Sequence, residues 1–202
     1  MTSEPLHEFP DWKSFYDQMP VDKMPWFNPE LDADLLEALD EQGLRQGRGL
    51  DLGTGPGTQA IELARRGFRM SGSDLSASAV CQARELSEQQ GVSVDWIVDD
   101  VLASDLSGPF DFIFDRGCFH VLPPATRTQY VNTVADLLAP GGLLFLKCFS
   151  RLQPSEIGPY RFIPDQIREI FRPRLQVLSI HETVYQGQLE ALPKALFCVL
   201  KA

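Results

Sequence analysis

Leu31, Leu35, Leu36 and Leu39 recur at helical spacing, and Gly43 stands where a C-terminal cap belongs, which predicts a helix over 31–42. Beyond it, short apolar runs alternate with amphipathic stretches. Residues 49–52 read as a buried strand running into a glycine loop, 58–66 as a helix closed by Gly67, and 68–72 as a second strand. Ser76 is a natural N-cap for a helix over 76–90. Strands follow over 92–98 and Phe110–Asp115, then a helix from about 124 to 138. Ala139-Pro140-Gly141-Gly142 predicts a turn, because proline stops the helix and glycine permits positive φ. A strand over 143–149, a helix over Pro164–Phe171 and an antiparallel pair over 175–183 and 195–201 complete the chain. Strands alternating with helices imply a parallel sheet with right-handed crossovers. The expected fold is therefore α/β, doubly wound and Rossmann-like, with a mixed edge where the closing pair joins.

Composition narrows the partners. A chain of 202 residues, 44% of them hydrophobic, can bury one full-sized core, so one domain is expected. The 28 acidic residues against 18 Lys and Arg leave a net charge of −10, and no basic run offers a stripe for phosphates. A nucleic-acid partner is not expected on that basis. The start MTSEPLHEFPDWKSF lacks a basic and apolar signal pattern, and the run 143–146 is too short to span a bilayer, so no membrane partner is expected either. Cys81, Cys118, Cys148 and Cys198 are scattered with no Cys-x-x-Cys pair, which argues against zinc and disulfides and suits the cytoplasm.

The chemistry centres on Leu50-Asp51-Leu52-Gly53-Thr54-Gly55-Pro56-Gly57-Thr58, a strand-to-helix turn where a doubly wound sheet binds its nucleotide. A dinucleotide fingerprint would place its third glycine where Thr58 stands. Asp51 would also repel a pyrophosphate, whereas it could pair with a ligand ammonium group. That charge logic favours S-adenosylmethionine over a nicotinamide or flavin cofactor. Asp74, 21 residues after Gly53, sits where an acid accepts hydrogen bonds from both ribose hydroxyls. Asp99-Asp100-Val101 ends the third strand, and one carboxylate there could hold the adenine amino group. Asp100 is preferred to Asp99 on the expectation that Val98 is buried.

Together these residues resemble the class I methyltransferases. Gly53, Thr54, Gly55 and Gly57 match their first motif, Asp74 with Leu75 their ribose-binding segment, and Asp100 with Val101 their adenine contact. Phe110–Asp115 resembles the strand-four motif, and 138–142 the turn before strand five. The resemblance runs from about 31 to 201 and implies a seven-stranded sheet of order 3-2-1-4-5-7-6 with the last strand antiparallel. Trp12, Met24-Pro25-Trp26 and Asp115-Arg116-Gly117-Cys118-Phe119-His120 are similar to small-molecule methyltransferases of the thiopurine S-methyltransferase and tellurite-resistance type. In such relatives an N-terminal segment, here 1–30, covers the cofactor of the domain formed by 31–202. The strand-four loop faces the acceptor.

Methyl transfer from a sulfonium is an in-line displacement in which the protein aligns the acceptor and removes a proton if needed. His120, just past strand four, is the candidate base, and Asp115 is counted with both the catalytic and the cofactor residues. Trp26, with Trp12, could lie beside the sulfonium. Arg116, His120, Tyr160 and Arg161 are candidate acceptor contacts on the same edge. The expected activity is methyl transfer from S-adenosylmethionine, leaving S-adenosylhomocysteine, to a small thiol or chalcogen, phenol or amine, by a monomer or homodimer. The alternatives are a non-catalytic S-adenosylmethionine-binding protein and a nicotinamide oxidoreductase.

Overall fold

The computed structural model describes Met24 and residues 27–154, 158–187 and 189–202. The chain runs α1 (Ala33–Glu41), β1 (Arg48–Leu52), α2 (Thr58–Arg65), β2 (Arg69–Asp74), α3 (Ala77–Gln89), β3 (Asp95–Val98), β4 (Phe110–Asp115), α4 (Arg127–Leu137), β5 (Leu138–Phe149), α5 (Pro164–Phe171), β6 (Gln176–Val184) and β7 (Lys194–Lys201). Its seven-stranded sheet has the order β3-β2-β1-β4-β5-β7-β6. The first five strands are parallel, and β7 runs antiparallel between β5 and β6. The expected fold and strand order are those observed.

Alternation along the strands divides the core between two faces. On β5, Leu144, Leu146 and Cys148 pack with α4 and α5, while Leu143 and Phe145 pack towards α1 and α2. Lys147 continues the second row, a cation in a position that period two assigns to the core.

Two elements differ from expectation. The third strand is confined to Asp95–Val98. The Ala139–Gly142 turn is absorbed into β5 as a bulge: Phe110 pairs with Leu138 but Phe112 with Leu143, and Gly141 takes up the excess at φ +79°. No described helix is long and apolar enough to cross a membrane.

Candidate active site

The carboxyl edge of β1 and β2 gathers three buried groups around the glycine loop. Gly57 precedes α2 at φ +79°, and a Cβ there would meet the Trp96 ring, so neither the turn nor the space admits a side chain. Gly53, at φ +68°, lies so close to Cys118 that an added Cβ would stand 2.8 Å from the cysteine Cβ. Asp51 is buried at the end of β1 and accepts the Thr54 hydroxyl at 2.5 Å. Burial raises its pKa to about 6 against the opposing pull of that hydrogen bond. Asp74 accepts the Gly55 amide on Oδ2 and the Ser76 amide on Oδ1, both at 2.9 Å, tying the glycine loop to the start of α3. Its pKa is also raised, chiefly by burial. Each Asp74 oxygen keeps a second lone pair for a ligand hydroxyl.

At the end of β3 the reason for choosing Asp100 fails, because Val98 is 53% exposed. Asp100 is nonetheless the more open acid. It lies on the surface, with one oxygen capping the following turn through the Leu102 amide at 2.9 Å. Asp99 is drawn inward, accepting the Asp105 amide on Oδ1 while Oδ2 is buried without a partner among the described residues. Leu75 is exposed beside Asp74, and Val101 is buried.

The loop after β4 corrects three expectations. Asp115 is fully buried, and its oxygens accept from the Gly117, Cys118 and Phe119 amides and the Tyr130 hydroxyl at 2.6–2.9 Å. Burial raises its pKa to about 6, but four donors leave no face of the carboxylate for chemistry, so it shapes the loop rather than reacting. Arg116 does not reach for an acceptor either. Its Nε donates to Asp32 at 2.9 Å and its Nη2 to the Gln186 carbonyl. His120 is a poor base: burial, with the Arg116 charge nearby, lowers its pKa to about 3, and Nδ1 already accepts the Phe149 amide at 3.2 Å.

Next to this loop lies a cluster that sequence reasoning missed. Lys147 is 0% exposed and donates to both Asp32 oxygens at 2.9 and 2.7 Å, to Asp34 at 2.6 Å and to Gln186 Oε1 at 2.7 Å. Burial would raise the Asp34 carboxyl, but the hydrogen bond and charge of Lys147 hold it below its usual value. Tyr185 hydrogen-bonds the Lys147 carbonyl at 2.6 Å, and its ring carries Arg116 at 5.2 Å. Asp32 also N-caps α1, and its amide donates to Gln59 Oε1 of α2 at 2.8 Å. Gln59 in turn donates to the Glu30 carbonyl at 2.9 Å, so the segment before α1 is fastened to the helix of the glycine loop. The one signal in the sequence was a lysine inside the apolar run Leu143–Phe149.

A family model described as a methyltransferase domain matches residues 50–142, from the end of β1 to the β5 bulge. That stretch, a little under half of the chain, is thus similar to a methyltransferase domain. A 2-heptyl-1-hydroxyquinolin-4(1H)-one methyltransferase of Mycobacteroides abscessus is 29% identical over 150 residues, covering 72% of this chain and 66% of that protein. A tRNA 5-carboxymethoxyuridine methyltransferase of Escherichia coli is 32% identical over 119 residues, covering 58% and 46%. The chain thus spans about half to two thirds of these curated relatives. A solved structure concerned with the conversion of a disulfide bond into a thioacetal group during echinomycin biosynthesis has the same fold, with a TM-score of 0.79, 24% identity, and 94% and 90% of the two chains covered.

Within the matched stretch, the structure brings Asp51, Gly53, Thr54, Gly55, Gly57 and Asp74 together at one loop. Tyr160 and Arg161 lie against the strand-four loop and the end of β5. The Tyr160 amide donates to the His120 carbonyl at 2.8 Å, and Phe162 bridges Ser150. Trp12 and Trp26 lie outside the described residues.

Proposed function

We propose that this protein transfers the methyl group of S-adenosylmethionine to a small-molecule acceptor. The observation that carries the reading is the pair of buried carboxylates, Asp51 and Asp74, which have no ion-pair partner among the described residues. Buried charge without a counter-ion is costly, and a cationic ligand relieves it. S-adenosylmethionine brings an ammonium and a sulfonium and no phosphate. In this reading Asp51, through Thr54 and the glycine-loop amides, takes the amino-acid end. Asp74 takes the ribose hydroxyls, Leu75 and Val101 flank the adenine, and Asp100 takes its amino group. When bound, the cofactor supplies the activated methyl group, and the chain's own task is to align the acceptor and exclude water.

A small acceptor rather than a nucleic acid is supported by the net charge of −10 and by the relative whose name gives a hydroxyquinolone substrate. The segment 1–30 is read as a cover for the cofactor, and a cytoplasmic location fits the free, scattered cysteines. The test is incubation of the protein and methyl-labelled S-adenosylmethionine with thiols, phenols, amines and bulk tRNA. Label appearing in a small molecule with equimolar S-adenosylhomocysteine is the expected result. Label in tRNA alone would overturn the acceptor class, and cofactor binding without any transfer would leave the binding-protein reading.

A further inference from the structure

The acceptor side contains a histidine whose hydrogen bonds decide what it can do. His120 is 7% exposed, and its ring packs against Phe149 and Tyr185 with centroids 4.8 and 5.8 Å away. Nδ1 accepts the backbone amide of Phe149 at 3.2 Å. The Tyr185 hydroxyl stands 3.3 Å from the same nitrogen, but its proton is directed to the Lys147 carbonyl at 2.6 Å. A proton on Nδ1 would point at the Phe149 N–H, donor against donor. The neutral ring therefore carries its hydrogen on Nε2. Nε2 has no partner among the described residues, yet it is not one of the fully buried unpaired atoms. It opens beside Gly117, where an added Cβ would come within 3.2 Å.

The groups around the ring offer no substitute base. Asp115 is saturated by four donors, and Lys147 is held by Asp32, Asp34 and Gln186. Burial pushes the Cys118 thiol and the Tyr185 hydroxyl well above their ordinary values. Arg116 is the nearby charge, and it opposes protonation of the imidazole. Around the imidazole the packing is aromatic, with Phe149 and Tyr185 meeting edge to face at 5.1 Å. Leu152 nearby in sequence is 64% exposed, and the loop carrying it is joined to the stretch after the exposed Leu189 and Leu192 through Gln153 and Lys194.

We propose that His120 is a hydrogen-bond donor to the acceptor and not its base, and that the acceptor is an aromatic compound whose nucleophilic oxygen or sulfur is already ionised when it binds. This rests on the methyl-transfer reading above. The acceptor anion forms its bond to the methyl carbon, the carbon–sulfonium bond breaks with its electron pair going to sulfur, and two opposite charges disappear. No proton moves, so none of the groups named above has to accept one. The Nε2–H orients the anion and selects the ionised form.

The experiment compares the wild-type chain with H120Q and H120F, using 4-nitrophenol as the probe because its absorbance reports ionisation. Glutamine keeps an acceptor for the Phe149 amide and a donor at its far end but cannot act as a base. In protein saturated with S-adenosylhomocysteine, wild type should bind the probe as phenolate. H120F should weaken binding about tenfold, and H120Q should restore it to within about threefold. Histidine 15N spectra, assigned by the signals lost in H120Q, should show a neutral Nε2–H ring that does not titrate between about pH 5 and pH 8. Titration inside that window, H120Q as weak as H120F, nitrobenzene bound as well as 4-nitrophenolate, or no phenolate bound to the saturated protein would each overturn the proposal. Failure of S-adenosylhomocysteine to bind would instead remove the cofactor reading, and the histidine spectra decide the tautomer independently of it.

Discussion

The two halves of the carboxyl edge handle buried charge in opposite ways. Around β1 and β2, Asp51 and Asp74 are buried with hydrogen-bond donors but no cation, and burial raises both pKa values. Around β4 to β6, Asp32 is buried and Asp34 part-buried, yet Lys147 and Arg116 neutralise them within the chain. The first half, as we propose, is an electrostatic arrangement that a cationic ligand completes. The second is complete in itself, so its charges serve architecture. In the proposed reading, carboxylates select the cofactor, while aromatic surface and one N–H select the acceptor.

Breaking the compensated half should have the largest effect. Lys147→Met takes the shared cation from buried Asp32 and part-buried Asp34, leaving Asp32 only Arg116, and should cost about 3–5 kcal/mol of stability in denaturant titrations. Adding Asp32→Asn to it should recover part of that loss. A single variant as stable as wild type would mean that the network is not the anchor its geometry describes.

In the uncompensated half the same kind of change should act in two opposite directions. Asp51→Asn should weaken S-adenosylhomocysteine binding by about 1.5–3 kcal/mol, because the ligand ammonium loses its charged partner. It should also raise the melting temperature at neutral pH by about 2–4 °C, since a buried, unpaired charge is gone. Lower stability together with unchanged affinity would refute the contrast. Asp74→Ala should weaken the same ligand by about 1.4 kcal/mol, a tenfold change, by removing its ribose hydrogen bonds.

The smallest effect sharpens the comparison through pH. A carboxyl whose folded pKa is about 6 gains its proton as pH falls through that value, so the ligand ammonium loses its partner on the acid side. The dissociation constant for S-adenosylhomocysteine should rise about tenfold from pH 7 to pH 5 in wild type and stay nearly flat in Asp51→Asn. Asp115 titrates in the same range, but its four donors keep it from the ligand, so persistence of the slope in the variant would shift the role away from Asp51.

Legibility in the sequence follows the same divide. The glycine loop, Asp51 and Asp74 are set by local geometry: a short strand, a tight turn and a helix start place them within one crossover, and spacing alone exposes them. The strand order followed from the resemblance once the motifs stood in sequence. The half around β4 to β6 was opaque because its contacts are distant, Asp32 and Lys147 being 115 positions apart. A lysine in the apolar run of β5 was the visible anomaly, but a strand pattern does not name its partners. His120 was placed correctly at the strand-four edge, yet its role turns on which nitrogen faces the Phe149 amide, and no spacing rule encodes a tautomer. The choice of Asp100 leaned on a buried Val98, and an edge strand four residues long leaves that side chain in solvent.

The central claim is that the glycine-loop half waits for a cationic nucleoside rather than a pyrophosphate. Calorimetric titration of the full chain with S-adenosylhomocysteine, and with NAD as the control, tests it most directly. The account predicts one-to-one binding in the micromolar range, about −8 kcal/mol, for the first ligand and none for the second. Binding of NAD with no heat from S-adenosylhomocysteine would contradict it.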